Sequence, residues 1–412
     1  MNVYFWIIIF ALLLNYLLDT VSNILNLRAL KNEPPVGLEE IYQPDDYRKS
    51  QAYTRARTRF GFFVGSADLI ILLVFWFTGG FNILDTIVRS WGFGFIFNGL
   101  LYTGIIVIGY ELITLPFGIY STFVIEEKFG FNKTTPRLFT TDRLKSFVIM
   151  LLLGGPLMAG ILALFEYAGN LAWPYCWLVS IIYMVVMQFV APVWIMPLFN
   201  KFTPMESGEL MDAIQDYSRS AGYETSRVFV MDGSKRSTKS NAFFTGYGRT
   251  KRIALFDTLI TNHTVPELVA IIAHEIGHYK KKHIIQGMVI SLAHMGLIFY
   301  LLSVFLGSPG LYRAFYVEQA SIYTGLMFAG MLLVPLETLL SIGMNVLSRK
   351  NEYQADRFAA ETVDEPSSIT GALKKLSTDN LSNLTPHPLY VYINYSHPTL
   401  LQRIQAVNRI KN

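Results

Sequence analysis

Cysteine is almost absent, because Cys176 is the single thiol in 412 residues. One thiol excludes an intrachain disulfide and a thiolate-rich metal site, and since Cys176 lies in an apolar run we expect it to be a packing residue. Charge is scarce as well, with 16% charged residues against 52% hydrophobic ones and a mean hydropathy of +0.36. This balance argues against a soluble protein. The basic residues form no clustered face, so we expect no nucleic-acid partner.

Long apolar runs take the place of charge. Seven runs are long enough to cross a lipid bilayer as helices, at about 3–25, 62–82, 93–124, 146–167, 173–197, 284–307 and 324–347. They predict an α-helical polytopic membrane protein with seven transmembrane helices. The first run lacks a basic segment before it and an obvious cleavage site after it, so we expect a retained helix rather than a signal peptide.

The distribution of basic residues predicts an orientation. Of the 34 Lys and Arg residues, 32 fall on one side of the seven-span arrangement, and the two others are Arg89 and Arg313. The positive-inside rule makes the basic side cytoplasmic. We therefore expect the N-terminus outside, and the C-terminus and the long connection at about 199–283 on the cytoplasmic side.

Histidine is rare too, with seven in the chain, yet two of them form the motif H-E-x-x-H at 274–278. On a helix, His274 and His278 lie one turn apart on the same face, so both imidazoles can reach one Zn²⁺. Glu275 can then act as general base on a zinc-activated water. The motif predicts a zinc metalloprotease.

The surroundings of the motif favour a helix. Thr264 and Glu267 have the spacing of a capping box, and apolar residues follow at helical spacing. Gly277 would let another backbone, or a substrate, approach closely. Because neither Pro nor Gly separates Lys280–Lys282 from the sixth apolar run, we expect one continuous helix from the site into the membrane.

A catalytic zinc site needs a third protein ligand in addition to the two histidines. Glu352 is the main candidate, because Asp356 follows it by one helical turn and could hydrogen-bond a ligating histidine. Glu337, inside the seventh run, is its rival. Further on, His397 could donate a hydrogen bond to an oxyanion. Arg403 could hold Glu352, Asp356 or a substrate carboxylate; a surface turn is the alternative for both.

The connection before the motif has mixed character. It contains an amphipathic helix at 207–221, a strand at 227–231 and a hairpin of strands at 242–247 and 253–256. The edge of the hairpin could pair with an extended peptide substrate, or the hairpin could only support the zinc helix. Several acids interrupt the spans, which indicates either a hydrated interior or buried pairwise hydrogen bonds: Asp19, Asp68, Glu111, Glu166 and Glu337.

Several segments together resemble one family. They are K-F-G-F-N-K-T-T at 128–135, P-L-F-N-K-F-T-P at 197–204, N-A-F-F at 241–244, H-E-I-G-H at 274–278, E-Y-Q-A-D at 352–356 and S-H-P at 396–398. The chain resembles, over nearly its whole length, the type I CAAX prenyl proteases, which are integral-membrane zinc metallopeptidases. The resemblance implies seven helices around a chamber and a small α+β zincin-like catalytic portion.

The resemblance also implies roles for residues. One Zn²⁺ per chain would be bound by His274, His278 and Glu352, with Glu275 as catalytic base. Asp356 would support the ligands or donate a proton, and His397 and Arg403 would line the site. The strand of Asn241, Ala242 and Phe243 would bind the substrate backbone.

These inferences divide the chain into membrane helices one to five with their cytoplasmic connections at 1–198, a catalytic segment at 199–283, helices six and seven at 284–347, and a C-terminal catalytic tail at 348–412. The expected reaction is endopeptidase cleavage of a peptide or protein, removing C-terminal residues of prenylated Cys-a-a-X substrates. The alternatives are a quality-control metalloprotease without prenyl specificity, an intramembrane-cleaving protease, and a transporter with a vestigial metal site. Because the last residues carry no retrieval signal, we expect a bacterial plasma membrane, or the ER membrane in a eukaryote.

Overall fold

The structure is a computed structural model that describes residues 1–39, 41–223, 227–245 and 252–410. Its first half is helical: α1 (Val3–Ala29), α2 (Pro44–Phe77), α3 (Gly80–Ser90), α4 (Phe95–Tyr120), α5 (Pro136–Ile149), α6 (Gly155–Tyr167), α7 (Ala172–Val190) and α8 (Met196–Phe199). Short π-helical segments extend α4, join α5 to α6 and join α7 to α8: Ser121–Glu126, Met150–Gly154 and Ala191–Ile195.

A small α+β segment follows. It consists of β1 (Phe202–Pro204), α9 (Glu209–Ser220), β2 (Val228–Met231), β3 (Ala242–Thr245), β4 (Arg252–Phe256), α10 (Asp257–Asn262) and α11 (Val265–Lys280). The strand order is β1-β2-β4-β3, with β2 and β4 parallel and the other pairs antiparallel. The expected helix, strand and hairpin are present, although residues 246–251 of the hairpin lie outside the described part of the chain. The sequence did not predict β1 or α10.

The remaining helices are α12 (His283–Leu306), α13 (Pro309–Ala314), α14 (Ile322–Leu332), α15 (Val334–Thr362), α16 (Ser367–Asp379), α17 (Pro388–Asn394) and α18 (Leu400–Asn408). Because α15 is continuous from 334 to 362, the division expected at 347/348 falls within a single helix.

Seven spans are confirmed. Within the described residues, six helical stretches are long and apolar enough to cross a bilayer, and the pair α14 and α15, bent by 54° at its junction, makes seven when it is taken as one span. The sequence predicted one span at about 324–347 here. The bend lies at Leu333, just before Pro335. The ring of a proline clashes with the backbone carbonyl of the preceding turn, and proline has no N–H to donate to that carbonyl. The second span also ends earlier than predicted, at Phe77, because Gly79 adopts a left-handed conformation with φ of 74°.

The membrane helices close into a ring, in which contacts run from α1 through α2, α3, α4, α6, α7, α12 and α14 back to α1. One end of the ring is filled by an aromatic core. Phe315 stacks on Phe328 at 3.9 Å and on Trp76 at 4.3 Å, and the Trp76 indole N–H donates to the carbonyl of Ala314 at 2.8 Å. The catalytic segment covers the other end, where α12 begins.

Two of the acids that interrupt the spans lie against nitrogen-bearing side chains. Glu111 lies 3.2 Å from Arg143, and Glu337 lies 3.0 Å from His294. These four side chains remain 35–56% exposed. Charge facing lipid is costly, so they indicate a water-filled interior rather than sealed pairs.

The expected continuous helix from the site into the membrane is wrong. Helix α11 ends at Lys280 and α12 begins at His283, and between them Lys282 is left-handed with φ of 59°. Residues other than glycine adopt this conformation rarely, because Cβ approaches the following carbonyl oxygen. The sequence therefore gives no Gly or Pro signal for this break.

Candidate active site

The site forms where α11 packs against α15. The predicted capping box begins α11, with the backbone N–H of Thr264 donating to Glu267 at 2.8 Å. At the crossing, a Cβ added to Gly277 would lie 3.1 Å from both Cα and the carbonyl oxygen of Ala355. The expectation that Gly277 admits another backbone is confirmed, and this approach brings Glu352 beside the two histidines.

Three donor atoms converge between the helices. Nε2 of His274 lies 3.1 Å from Nε2 of His278, and the Glu352 carboxylate lies 3.2 Å from His278 and 3.4 Å from His274. One ligand atom from each residue fits within 4.8 Å of the others. Glu337 is paired with His294 instead.

These residues suit a metal ion. Oε2 of Glu352 is buried and accepts no hydrogen bond among the described residues, and buried polar atoms normally have a partner. Two imidazole nitrogens and a carboxylate, converging from one side, are a donor set that Zn²⁺ prefers. Glu275 is not a member of this donor group, as the motif predicts.

The other nitrogen of His274 is held by a carboxylate. Nδ1 of His274 lies 2.8 Å from Oδ1 of Asp356, and Arg403 donates two hydrogen bonds to the same carboxylate, at 2.8 and 2.6 Å. Burial lowers the pKa of His274, but the hydrogen bond to Asp356 and the nearby carboxylate of Glu352 outweigh it and raise the pKa to about 9. The carboxylates around this imidazole therefore favour a positive charge at the site, which a bound metal cation would supply.

Arg403 and His397 both reach the site. The guanidinium of Arg403 is paired with Asp356 and lies 3.7 Å from Glu352. The expected partners were Glu352, Asp356 or a substrate carboxylate, and Arg403 contacts the first two. Nε2 of His397 lies 3.3 Å from Glu352, and the His397 side chain is 61% exposed. This histidine thus borders the donor group and remains open to a substrate.

A cavity of about 570 Å³ opens over these residues, and Glu275, His274, Glu352, His397, Asn241 and Ala242 are part of its wall. Burial raises the pKa of Glu275 above the ordinary value of a glutamate, and a base poised nearer neutral pH is suited to proton transfer. The structure therefore brings the motif, the third carboxylate and the predicted substrate strand to one space.

Strand β3 is an edge of the sheet, as the substrate-binding prediction needs. The N–H of Phe256 donates to the carbonyl of Asn241, so Asn241 faces β4. Because the hydrogen-bonding direction alternates along an antiparallel strand, the backbone groups of Ala242 and Phe244 face the free edge. Phe243 is not in the cavity wall, and its ring packs against Phe256 with centroids 6.3 Å apart.

Sequence reasoning missed His283. Its Nδ1 lies 3.0 Å from Nδ1 of His278, and its Nε2 lies 3.0 Å from Oε1 of Gln354. Residues five apart do not meet on a helix, so no spacing rule could have selected it.

Two sequence profiles match the chain and together cover almost all of it. Residues 23–201 match "CAAX prenyl protease N-terminal, five membrane helices", and residues 204–411 match "Peptidase family M48". The chain belongs to peptidase family M48.

Relatives of this M48 peptidase agree with that assignment. CAAX prenyl protease 1 of Saccharomyces cerevisiae is 36% identical over 92% of this chain and 88% of its own length. A CAAX prenyl protease 1 homolog of Arabidopsis thaliana is 33% identical over 95% of both. The crystal structure of S. mikatae Ste24p matches with a TM-score of 0.94 and 33% identity, covering 99% of this chain and 100% of that one. This peptidase is accordingly a membrane metalloprotease, and the transporter alternative is not favoured.

Proposed function

We propose that this M48 peptidase binds one Zn²⁺ per chain and cleaves the C-terminal residues from prenylated Cys-a-a-X substrates at a lipid bilayer. One observation carries the proposal: His274 and Glu352, which form a donor group with His278, line the same cavity as Asn241 and Ala242 at edge strand β3. The names of the relatives support the prenylated substrate class.

The chemistry follows from the residues around the cavity. A bound zinc ion would supply Lewis acidity and lower the pKa of a water molecule. Glu275 accepts a proton from the water that attacks the peptide carbonyl carbon, and it returns that proton to the leaving amine nitrogen as the C–N bond breaks. The imidazole N–H of His397 donates a hydrogen bond to the developing oxyanion.

Positioning of the reacting groups comes from two sources. Asp356, itself fixed by Arg403, orients the His274 ring. A substrate peptide pairs with the outward carbonyl groups of Ala242 and Phe244 and with the N–H of Phe244, which places its scissile bond along β3 beside Glu275. Asn241 and Phe243 hold the strand through contacts with β4.

The test compares a farnesylated Cys-a-a-X peptide with its unprenylated twin, using purified protein and mass spectrometry of the products. The matched inactive control is Glu275→Gln. We expect zinc-dependent release of the three terminal residues from the farnesylated peptide only. Equal cleavage of both peptides would favour the protease without prenyl specificity, and zinc binding with no cleavage of either would refute the proposal.

We also propose the orientation predicted from the basic residues. In a Cys176→Ser background, cysteines near Lys49 and Lys239 should be protected from an impermeant thiol reagent in right-side-out vesicles, and one near Arg313 should react. Labelling at Lys239 would contradict the orientation. The bacterial plasma membrane, or the ER membrane in a eukaryote, stays the predicted location; the relatives named above are eukaryotic.

A further inference from the structure

The second metal-site histidine is held by a chain of side chains that the reaction above does not use. His278 contacts His283, and His283 contacts Gln354, each at 3.0 Å. His283 is 8% exposed, so these contacts are shielded from water. Gln354 belongs to the same turn of α15 as Glu352.

The contact exists because the backbone departs from helix geometry. On a continuous helix, residues five apart are about 140° apart around the axis and cannot touch. Lys282, with φ of 59°, breaks the helix between α11 and α12 and returns His283 to the face of His278. The left-handed conformation is unfavourable for a residue other than glycine, and such strain often accompanies a functional requirement.

The direction of each hydrogen bond follows from the ligand role of His278. If Nε2 of His278 binds the metal, the ring proton is on Nδ1 and is donated to Nδ1 of His283. The single proton of a neutral His283 is then on Nε2, which donates to the carbonyl oxygen of Gln354. Each N–H in this series has an acceptor, and a single tautomer of each ring is enough to form both hydrogen bonds.

Residues 352–356 then serve both ligand histidines. Glu352 offers a donor to the metal, Asp356 accepts from His274, and Gln354 anchors the partner of His278. A ring whose second nitrogen is fixed in this way keeps its orientation and tautomer.

We propose that His283 is a positioning residue that orients His278 for metal binding, with Gln354 as its anchor and the left-handed Lys282 as the turn that places it. The inference rests on the proposed zinc site. The competing explanation is that His283 only fills space between α11 and α15.

The experiment measures zinc affinity of the purified full chain by competition with a chromogenic chelator, alongside thermal unfolding. We expect His283→Leu to weaken zinc binding about 10- to 100-fold, the usual effect of losing a partner of a ligating histidine. His283→Gln keeps an acceptor for His278 and should recover most of that loss. His263→Leu is the matched control, because His263 is equally buried and bonds only to the carbonyl of Leu259 among the described residues; it should leave zinc affinity unchanged.

Two further variants separate positioning from packing. Lys282→Gly, which adopts the left-handed turn without strain, should retain zinc. Gln354→Leu should weaken binding, and adding it to His283→Leu should cause no further loss, since both act through one chain of bonds.

Zinc binding by the wild type and by the His283 variants distinguishes failure of the positioning role from failure of the proposed function. If the wild-type chain binds no zinc, the proposed function fails. If the wild type binds zinc and His283→Leu binds it equally tightly, or His283→Gln is as weak as His283→Leu, the positioning role is overturned.

Discussion

Gly277→Ala should separate the stability of the protein from the geometry of its site. The new Cβ would lie 3.1 Å from two backbone atoms of Ala355, where ordinary contacts are 3.4–4 Å, and 3.2 Å from the ring of Phe358. Backbone atoms cannot turn aside as a flexible side chain can. Helices α11 and α15 must therefore separate by a few tenths of an ångström.

The energetic effects oppose one another. Replacing a helical glycine by alanine stabilises a helix by about 1 kcal/mol, whereas overpacking costs about 1–3 kcal/mol. The free energy of unfolding should thus change little, or fall by about 2 kcal/mol at most. The site is more sensitive, because the donors to the metal come from both helices. Since a misplacement of 1 Å can cost about 100-fold in rate, a few tenths should cost about 3- to 10-fold.

The assay measures thermal unfolding, bound zinc and peptide cleavage for Gly277→Ala. Gly287→Ala is the matched control, because Gly287 lies in α12 and a Cβ there meets nothing within 4 Å among the described residues. We expect lower zinc affinity and slower cleavage for Gly277→Ala alone. Wild-type zinc affinity and rate in a folded Gly277→Ala protein would refute the reasoning.

Three shorter predictions follow. Glu275→Gln should keep zinc and lose cleavage rate by about 10²–10⁴-fold; a wild-type rate would remove Glu275 from the mechanism. Glu352→Gln should lose zinc readily under mild chelation while Glu337→Gln retains it, as bound zinc per chain will show, and the reverse would move the site into the membrane. Burial raises the pKa of Glu267, but hydrogen bonds, first from Lys375, outweigh it and lower the pKa. Its stabilising contribution should therefore be present above about pH 4.3 and disappear as pH falls further. Thermal unfolding of wild type and Glu267→Gln should differ at pH 7 and converge in acid; an unchanged difference would contradict this.

The sequence by itself determined the features that depend on local geometry. Two histidines four apart in a capped helix must share a face, so His274 and His278 could be paired without a fold. Hydropathy determined the seven spans, because a bilayer requires about 20 apolar residues wherever they pack. The hairpin followed from alternation, which is also local.

Only the tertiary structure decided which distant groups meet. The sequence left Glu352 and Glu337 as rivals, and the packing of α15 against Gly277 brings Glu352 to the histidines and leaves Glu337 beside His294. The tertiary structure also pairs Arg403 with Asp356. It brings His283 to the site through the left-handed Lys282, for which the sequence gives no signal. The physical reason is that helix periodicity constrains neighbours within a turn or two, whereas contacts between residues far apart in the chain depend on how close two backbones can approach.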